Sequence, residues 1–92
     1  MTTTTTTPDL AAIQEALGAH IASEILLRRA PLAPDEDLFD AGFDSLSLSR
    51  VLVFVEERFN IVIPDQDVVI DELSTVEKWA RFVHGRLAQA GR

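Results

Sequence analysis

Asp44-Ser45-Leu46-Ser47-Leu48-Ser49-Arg50-Val51-Leu52-Val53-Phe54-Val55-Glu56-Glu57-Arg58-Phe59 is the stretch on which the fold turns. Its spacing predicts a helix over about Ser45 to Phe59 with Leu46, Val51, Val55 and Phe59 as the buried stripe. Leu48, Leu52, Val53 and Phe54 make the same helix apolar on more than one face. Some of those four must be covered by neighbouring chain or left facing a partner. Asp44 or Ser45 suits the N-cap, where a side-chain oxygen accepts from a free backbone N–H.

On the N-terminal side, Ala30 to Asp44 holds two prolines, one glycine and five acids. A connection this long in a small domain is functional or pinned by its own contacts. Leu32, Leu38, Phe39 and Phe43 are the expected pins. Before it, Leu10, Ile13, Leu17, Ile21 and Ile25 recur at three and four, one face of another helix. Thr7 can cap that helix, Pro8 suits its first position, and Asp9 complements the positive end of the dipole. Gly18 weakens the helix without abolishing it. It should end near Leu27 to Arg29, with arginines at the negative end of the dipole and Pro31 and Pro34 preventing continuation. Residues 1–7 are a threonine-rich tract with nothing to bury, expected as a disordered tail before a single helical domain over 8–90.

On the C-terminal side, Asn60-Ile61-Val62-Ile63-Pro64 is an extended link, since one short strand has nothing to pair with. Asp65 can cap a short helix over about Gln66 to Glu72, with Val68, Val69 and Ile70 partly buried. Ser74-Thr75-Val76-Glu77 has the form of a capping box. It opens a last helix whose apolar face is Val76, Trp79, Ala80, Phe82, Val83 and Leu87. The expected fold is all-α: a four-helix bundle of three longer helices and one short one, with a long first connection.

Composition narrows the function. A chain of 92 residues supports one modest core and little enclosed volume. The absence of cysteine removes disulfides, thiolate metal sites and a cysteine nucleophile. No apolar run approaches the ~20 residues that span a bilayer, and no basic-then-apolar leader is present, so the expectation is a cytoplasmic protein. A net charge of −7 argues against nucleic acid or an anionic membrane as partner. Twelve carboxylates lie between Asp35 and Glu77, opposed there only by Arg50 and Arg58. Such a cluster is either a solubilising surface or a means of steering basic partners.

Enzyme chemistry finds little to work with. Ser45 has Phe43 and Ser47 where a nucleophile elbow needs glycines. His20 and His84 fall inside helices, the usual place of packing histidines. Asp35 and Asp37 begin a calcium-loop spacing that the following residues do not complete. No glycine-rich phosphate loop is present. What remains is Ser45 at the first turn of a helix, after a glycine-bearing loop and among acids. Its hydroxyl is open to a modifying enzyme, and a phosphodiester there would sit at the positive end of the helix dipole.

Asp37-Leu38-Phe39-Asp40-Ala41-Gly42-Phe43-Asp44-Ser45-Leu46, then Glu56-Glu57-Arg58-Phe59 and Ile61-Val62-Ile63-Pro64, resembles the phosphopantetheine-attachment region of acyl carrier proteins. The resemblance continues through Ser74-Thr75-Val76 and covers roughly residues 9 to 88 in layout. It implies that Ser45 bears 4′-phosphopantetheine donated by coenzyme A, whose terminal thiol supplies what a cysteine-free chain lacks. It further implies that Asp44 and the helix start are read by a phosphopantetheinyl transferase. The same helix would then meet an acyl-loading ligase or acyltransferase and synthase or tailoring enzymes, through Leu46, Leu48, Arg50, Leu52, Glu56 and Glu57. Arg50 stands where the family usually places an acid, and Ser47 and Ser49 make the first turn less acidic than usual. These departures point to a dedicated polyketide or other specialised acyl pathway rather than housekeeping fatty acid synthesis. The expectation is a freestanding, monomeric acyl carrier without catalytic or metal-binding residues. The alternatives are a discrete aminoacyl or peptidyl carrier and an unmodified helical interaction module.

Overall fold

Asp9 opens the first helix in the computed structural model of the chain, which describes residues 9–90. Its backbone is extended and its carboxylate accepts from Ala12 N–H at 2.8 Å, so Asp9 is itself the cap of α1 (Leu10–His20). The acid expected inside the first turn thus does the capping. Thr7, Pro8 and the tail over residues 1–7 lie outside the described residues.

α1 passes directly into a π-helical turn, Ile21–Ile25. The apolar spacing explains the change. Ile13, Leu17, Ile21 and Ile25 are four apart, and at 3.6 residues per turn each step of four drifts about 40° around the axis. A wider i→i+5 turn takes up that drift. Ile13, Leu17 and Ile21 are fully buried, Ile25 is partly so, and Leu10 at the far end of the stripe is exposed. Helical structure stops slightly short of the expected Leu27–Arg29. Leu27 adopts a left-handed conformation (φ 53°), and Arg28 N–H bonds back to the Ala22 carbonyl at 2.9 Å, a closure typical of helix C-termini.

α2 (Ser45–Phe59) has the expected bounds, capped by Asp44 and ended by Asn60 in the left-handed region (φ 57°). Val51 and Val55 are fully buried, and Phe59 packs partly against them. Leu46 does not join that stripe and is 69% exposed. Nine residues at about 100° each place it on the opposite side of the helix from Val55.

α3 (Val76–Ala90) packs on α1 and buries Val76, Trp79, Ala80 and Val83, with Phe82 and Leu87 at the margin. Its cap is one residue later than the capping box implied. Thr75 Oγ1 accepts from Lys78 N–H at 3.1 Å, while Ser74 Oγ donates to the Asp71 carbonyl at 3.5 Å. The Glu77 carboxylate pairs with Arg81.

The short fourth helix is not formed. Two 3₁₀ turns, Asp65–Asp67 and Ile70–Leu73, stand in its place. Val69 between them is extended (φ −118°, ψ 112°), in keeping with the poor fit of consecutive β-branched side chains to a helix. Val69 and Ile70 are exposed rather than partly buried, and Leu73 fills the core instead. Among the described residues the all-helical bundle therefore has three α-helices and no strand. The link before these turns alternates as a strand does, with Ile61 and Ile63 buried and Val62 exposed. Its Ile63 N–H is taken by Glu56 Oε2 at 3.0 Å, which replaces a missing sheet partner.

The first connection is stitched down at both ends. Arg28 makes a bidentate pair with Glu36 at 3.0 and 2.7 Å. Pro34 and Ser74 carbonyls accept from Glu77 and Leu38 N–H groups at 3.0 and 2.8 Å. Leu38 and Phe43 are core residues and Leu32 is half-buried. Phe39, expected as a fourth pin, is 36% exposed and meets Phe43 edge-on at 5.5 Å.

Candidate functional site

The residues before Ser45 form a tight, self-bonded loop. Asp37 Oδ1 accepts from the N–H groups of Phe39 and Asp40 at 2.9 and 3.3 Å. The Leu38 carbonyl accepts from Ala41 and Phe43 at 3.0 and 2.9 Å. Gly42 makes the reversal possible with φ 109°, a conformation that side chains rarely adopt. With Leu38 and Phe43 locked in the core, the chain arrives at Asp44 on a fixed path.

Asp44 is extended and turns the loop into α2. Its Oδ1 accepts from both the N–H and the hydroxyl of Ser47, each at 2.9 Å. Those bonds, the backbone one first, hold its carboxyl below the usual carboxylate range, so it is ionised at neutral pH. Ser47 is thereby committed. Ser45, the first residue of α2, is exposed, and its hydroxyl makes no hydrogen bond among the described residues. An open hydroxyl at a helix N-terminus, with backbone N–H groups beside it, fits a covalently attached phosphodiester.

The outer face of α2 continues from this point. Leu46, Arg50, Val53 and Glu57 follow at four, three and four residues and are all exposed, Val53 at 52%. Leu46, Arg50 and Glu57 thus share one exposed face of α2, and Val53 lies on it with them. Leu48 and Leu52 lie on the flank of the helix, packed against the core. The Glu56 carboxylate is occupied by Ile63 N–H, which gives it a structural task. Two residues that sequence spacing left out also reach this helix. His20 stacks on Phe54, ring centroids 3.8 Å apart and planes 9° apart, and Glu24 joins the same edge from the π turn. The apolar repeat of the first helix carries no mark of where the π turn rotates its neighbours.

Among the described residues, no group of three or more His, Cys, Asp or Glu is placed to hold a metal ion. No helix among them is long and apolar enough to cross a membrane.

A family described as "Phosphopantetheine attachment site" matches residues 15–83. The chain is similar to the D-alanyl carrier protein of Streptococcus suis (strain 05ZYH33), with 35% identity over 60 residues covering 64% of this chain and 76% of that protein. It is also similar to the D-alanyl carrier proteins of Streptococcus pyogenes serotypes M5 (strain Manfredo) and M1. Those matches are 47% identical over 45 residues, covering 48% of this chain and 57% of each relative.

Proposed function

The chain belongs to the phosphopantetheine-attachment family, which bears 4′-phosphopantetheine covalently on a serine, and from that premise we propose that Ser45 is the serine and the protein a thioester carrier. The observation that supports Ser45 most is its free, exposed hydroxyl at the start of α2, beside a Ser47 hydroxyl already bound to Asp44. When attached, the group supplies a terminal thiol, and the chain has no cysteine of its own.

The chain's own residues hold and present. Gly42 and the Leu38–Phe43 anchors set the direction of the loop. Asp44 caps α2, keeps Ser47 occupied and offers an ionised carboxylate beside the Ser45 hydroxyl, where a basic transferase can read it. The positive end of the α2 dipole favours the phosphodiester, and the Leu46–Arg50–Val53–Glu57 face is left free for the enzymes that load and unload the carrier. In this role the Ser45 oxygen accepts the phosphopantetheinyl group from coenzyme A, and the partner enzymes load and unload the thiol that the group brings.

The D-alanyl carrier relatives favour a small aminoacyl cargo. An acyl cargo from polyketide or other specialised assembly is the second possibility, favoured by the resemblance of the Ile61-Val62-Ile63-Pro64 step to carriers of the fatty acid and polyketide type. Partners in either case are a phosphopantetheinyl transferase, a loading ligase or acyltransferase, and downstream synthase or tailoring enzymes. Peptide mapping after incubation with coenzyme A and a broad-specificity transferase tests the assignment. The added group is expected on the fragment that carries Ser45 and at that residue. Modification at Ser47 or Ser49 instead would overturn it.

A further inference from the structure

Trp79 is the largest of the fully buried side chains, and it stands close to the end of the bundle that bears Ser45. The first turn of α3 is bonded to the connection that delivers Ser45. The Ser74 carbonyl accepts from Leu38 N–H at 2.8 Å, and the Pro34 carbonyl from Glu77 N–H at 3.0 Å. Phe43, two residues before Ser45, donates its N–H to the Leu38 carbonyl at 2.9 Å. The backbone N–H of Trp79 donates to the Thr75 carbonyl at 3.0 Å, which places the indole one helical turn, about 6 Å, beyond Thr75. It shares one core there with Ile13, Leu17, Leu38, Phe43, Val51 and Val55. The indole N–H is shut off from solvent and has no hydrogen-bond partner among the described residues. A buried donor without an acceptor costs stability, and a leucine or phenylalanine would occupy apolar space without that cost. What the indole offers instead is rigid bulk.

We propose that Trp79 is a specificity-determining residue: it occupies the core volume that a long acyl chain would need, so that the protein suits short acyl or aminoacyl groups held outside the bundle. This rests on the carrier function proposed above and deepens it by naming the class of cargo. An apolar chain borne on Ser45 is driven out of water, and the core behind Leu38 and Phe43 is apolar volume beside the attachment point. Side chains packed at native density admit several methylenes only if one of them gives way. A fused ring held at the centre cannot fold aside as an unbranched side chain can. Grooves among the described residues lie at the surface with charge at their edges, such as one of about 380 Å3 bordered by Glu15, Arg28 and Arg29. A chain resting there stays partly in water. An acetyl or alanyl group has little apolar surface to hide and loses little by remaining in solvent.

The test places an acylated arm on Ser45 with a broad-specificity phosphopantetheinyl transferase and either octanoyl-coenzyme A or acetyl-coenzyme A, with attachment confirmed by mass. Trp79 is the single tryptophan of the chain, so one indole N–H resonance of the 15N-labelled protein reports on the core. In wild type the octanoyl and acetyl forms should share the same indole resonance and the same Tm. Trp79→Leu opens volume. There the octanoyl chain should shift the amides of Val51, Val55 and Val83 and raise Tm by roughly 4 °C or more over the acetyl form. Trp79→Phe replaces Trp79→Leu if the latter does not fold, with smaller shifts of the same amides expected. A wild-type indole resonance that moves with octanoyl and not with acetyl would overturn the proposal. So would a folded variant whose core is indifferent to chain length. Mass separates this failure from that of the carrier function. No added group on wild type overturns the carrier function, whereas an octanoyl group that is attached and buried overturns only the role of Trp79.

Discussion

Adding one methyl group at Gly42 and the same methyl group at Gly85 should move stability in opposite directions. A Cβ at Gly42 would meet no atom within 4 Å, so space does not oppose Gly42→Ala. The backbone does. At φ 109° an alanine is in a region that L-residues avoid, at a cost of about 1–2 kcal/mol. For a domain of this size each 1 kcal/mol corresponds to roughly 4–8 °C in Tm, so the variant should melt about 4–16 °C lower. Gly85 lies inside α3, where a Cβ also meets nothing within 4 Å. There alanine should stabilise by about 0.5–1 kcal/mol, because a helical glycine costs more chain entropy. Thermal melts followed by circular dichroism compare the two directly. The functional consequence lies at Gly42, whose turn delivers Asp44 and Ser45 to the start of α2. A Gly42→Ala protein as stable as wild type, with Gly85→Ala stabilised as expected, would show that residue 42 is not in the strained conformation and that the loop is not set by it.

Further predictions concern the core, a buried hydrogen bond and pH. Leu38→Ala removes a fully buried side chain and one anchor of the loop, and should cost about 2–5 kcal/mol in urea unfolding. Glu56→Ala leaves the Ile63 N–H without its acceptor and should cost about 1–3 kcal/mol, whereas Glu56→Gln keeps an oxygen there and should cost less. Equal losses for both Glu56 variants would remove its structural task. Burial holds the His20 pKa below 6.5 in the folded protein. The unfolded chain therefore takes up the proton first as the pH falls below 6.5, and stability declines until the folded-state value is passed. His20→Gln should flatten that part of the stability profile, and an unchanged slope would show that another group is responsible.

Much of this fold is legible in the sequence because local signals and burial agree. α2 has a capping acid before it, an asparagine that tolerates the left-handed region after it, and valines four apart on its buried side. Ser45 is visible for the same reason, standing where loop and helix meet. Other features depend on choices made at a distance. Ser74 and Thr75 are equally able to cap α3, and Thr75 fills that role while the Ser74 carbonyl accepts from Leu38 N–H in the first connection. Val68 and Val69 look helical by apolarity alone, yet their β-branching goes with two separate 3₁₀ turns. The steps of four in α1 hint at drift, but the π turn that absorbs it depends on packing. Its result, Glu24 and His20 beside α2, could not be read from spacing. Leu46 reads with the buried stripe by its apolarity, although its angle around the helix places it outside.

Whether Ser45 carries the arm is read from intact-protein mass. Wild type, Ser45→Ala and Ser47→Ala are each incubated with coenzyme A and a broad-specificity phosphopantetheinyl transferase. One added phosphopantetheinyl group is expected on wild type and on Ser47→Ala, and none on Ser45→Ala. Wild type that stays unmodified while folded, in the presence of demonstrably active transferase, or a Ser45→Ala protein that gains the group, would contradict it.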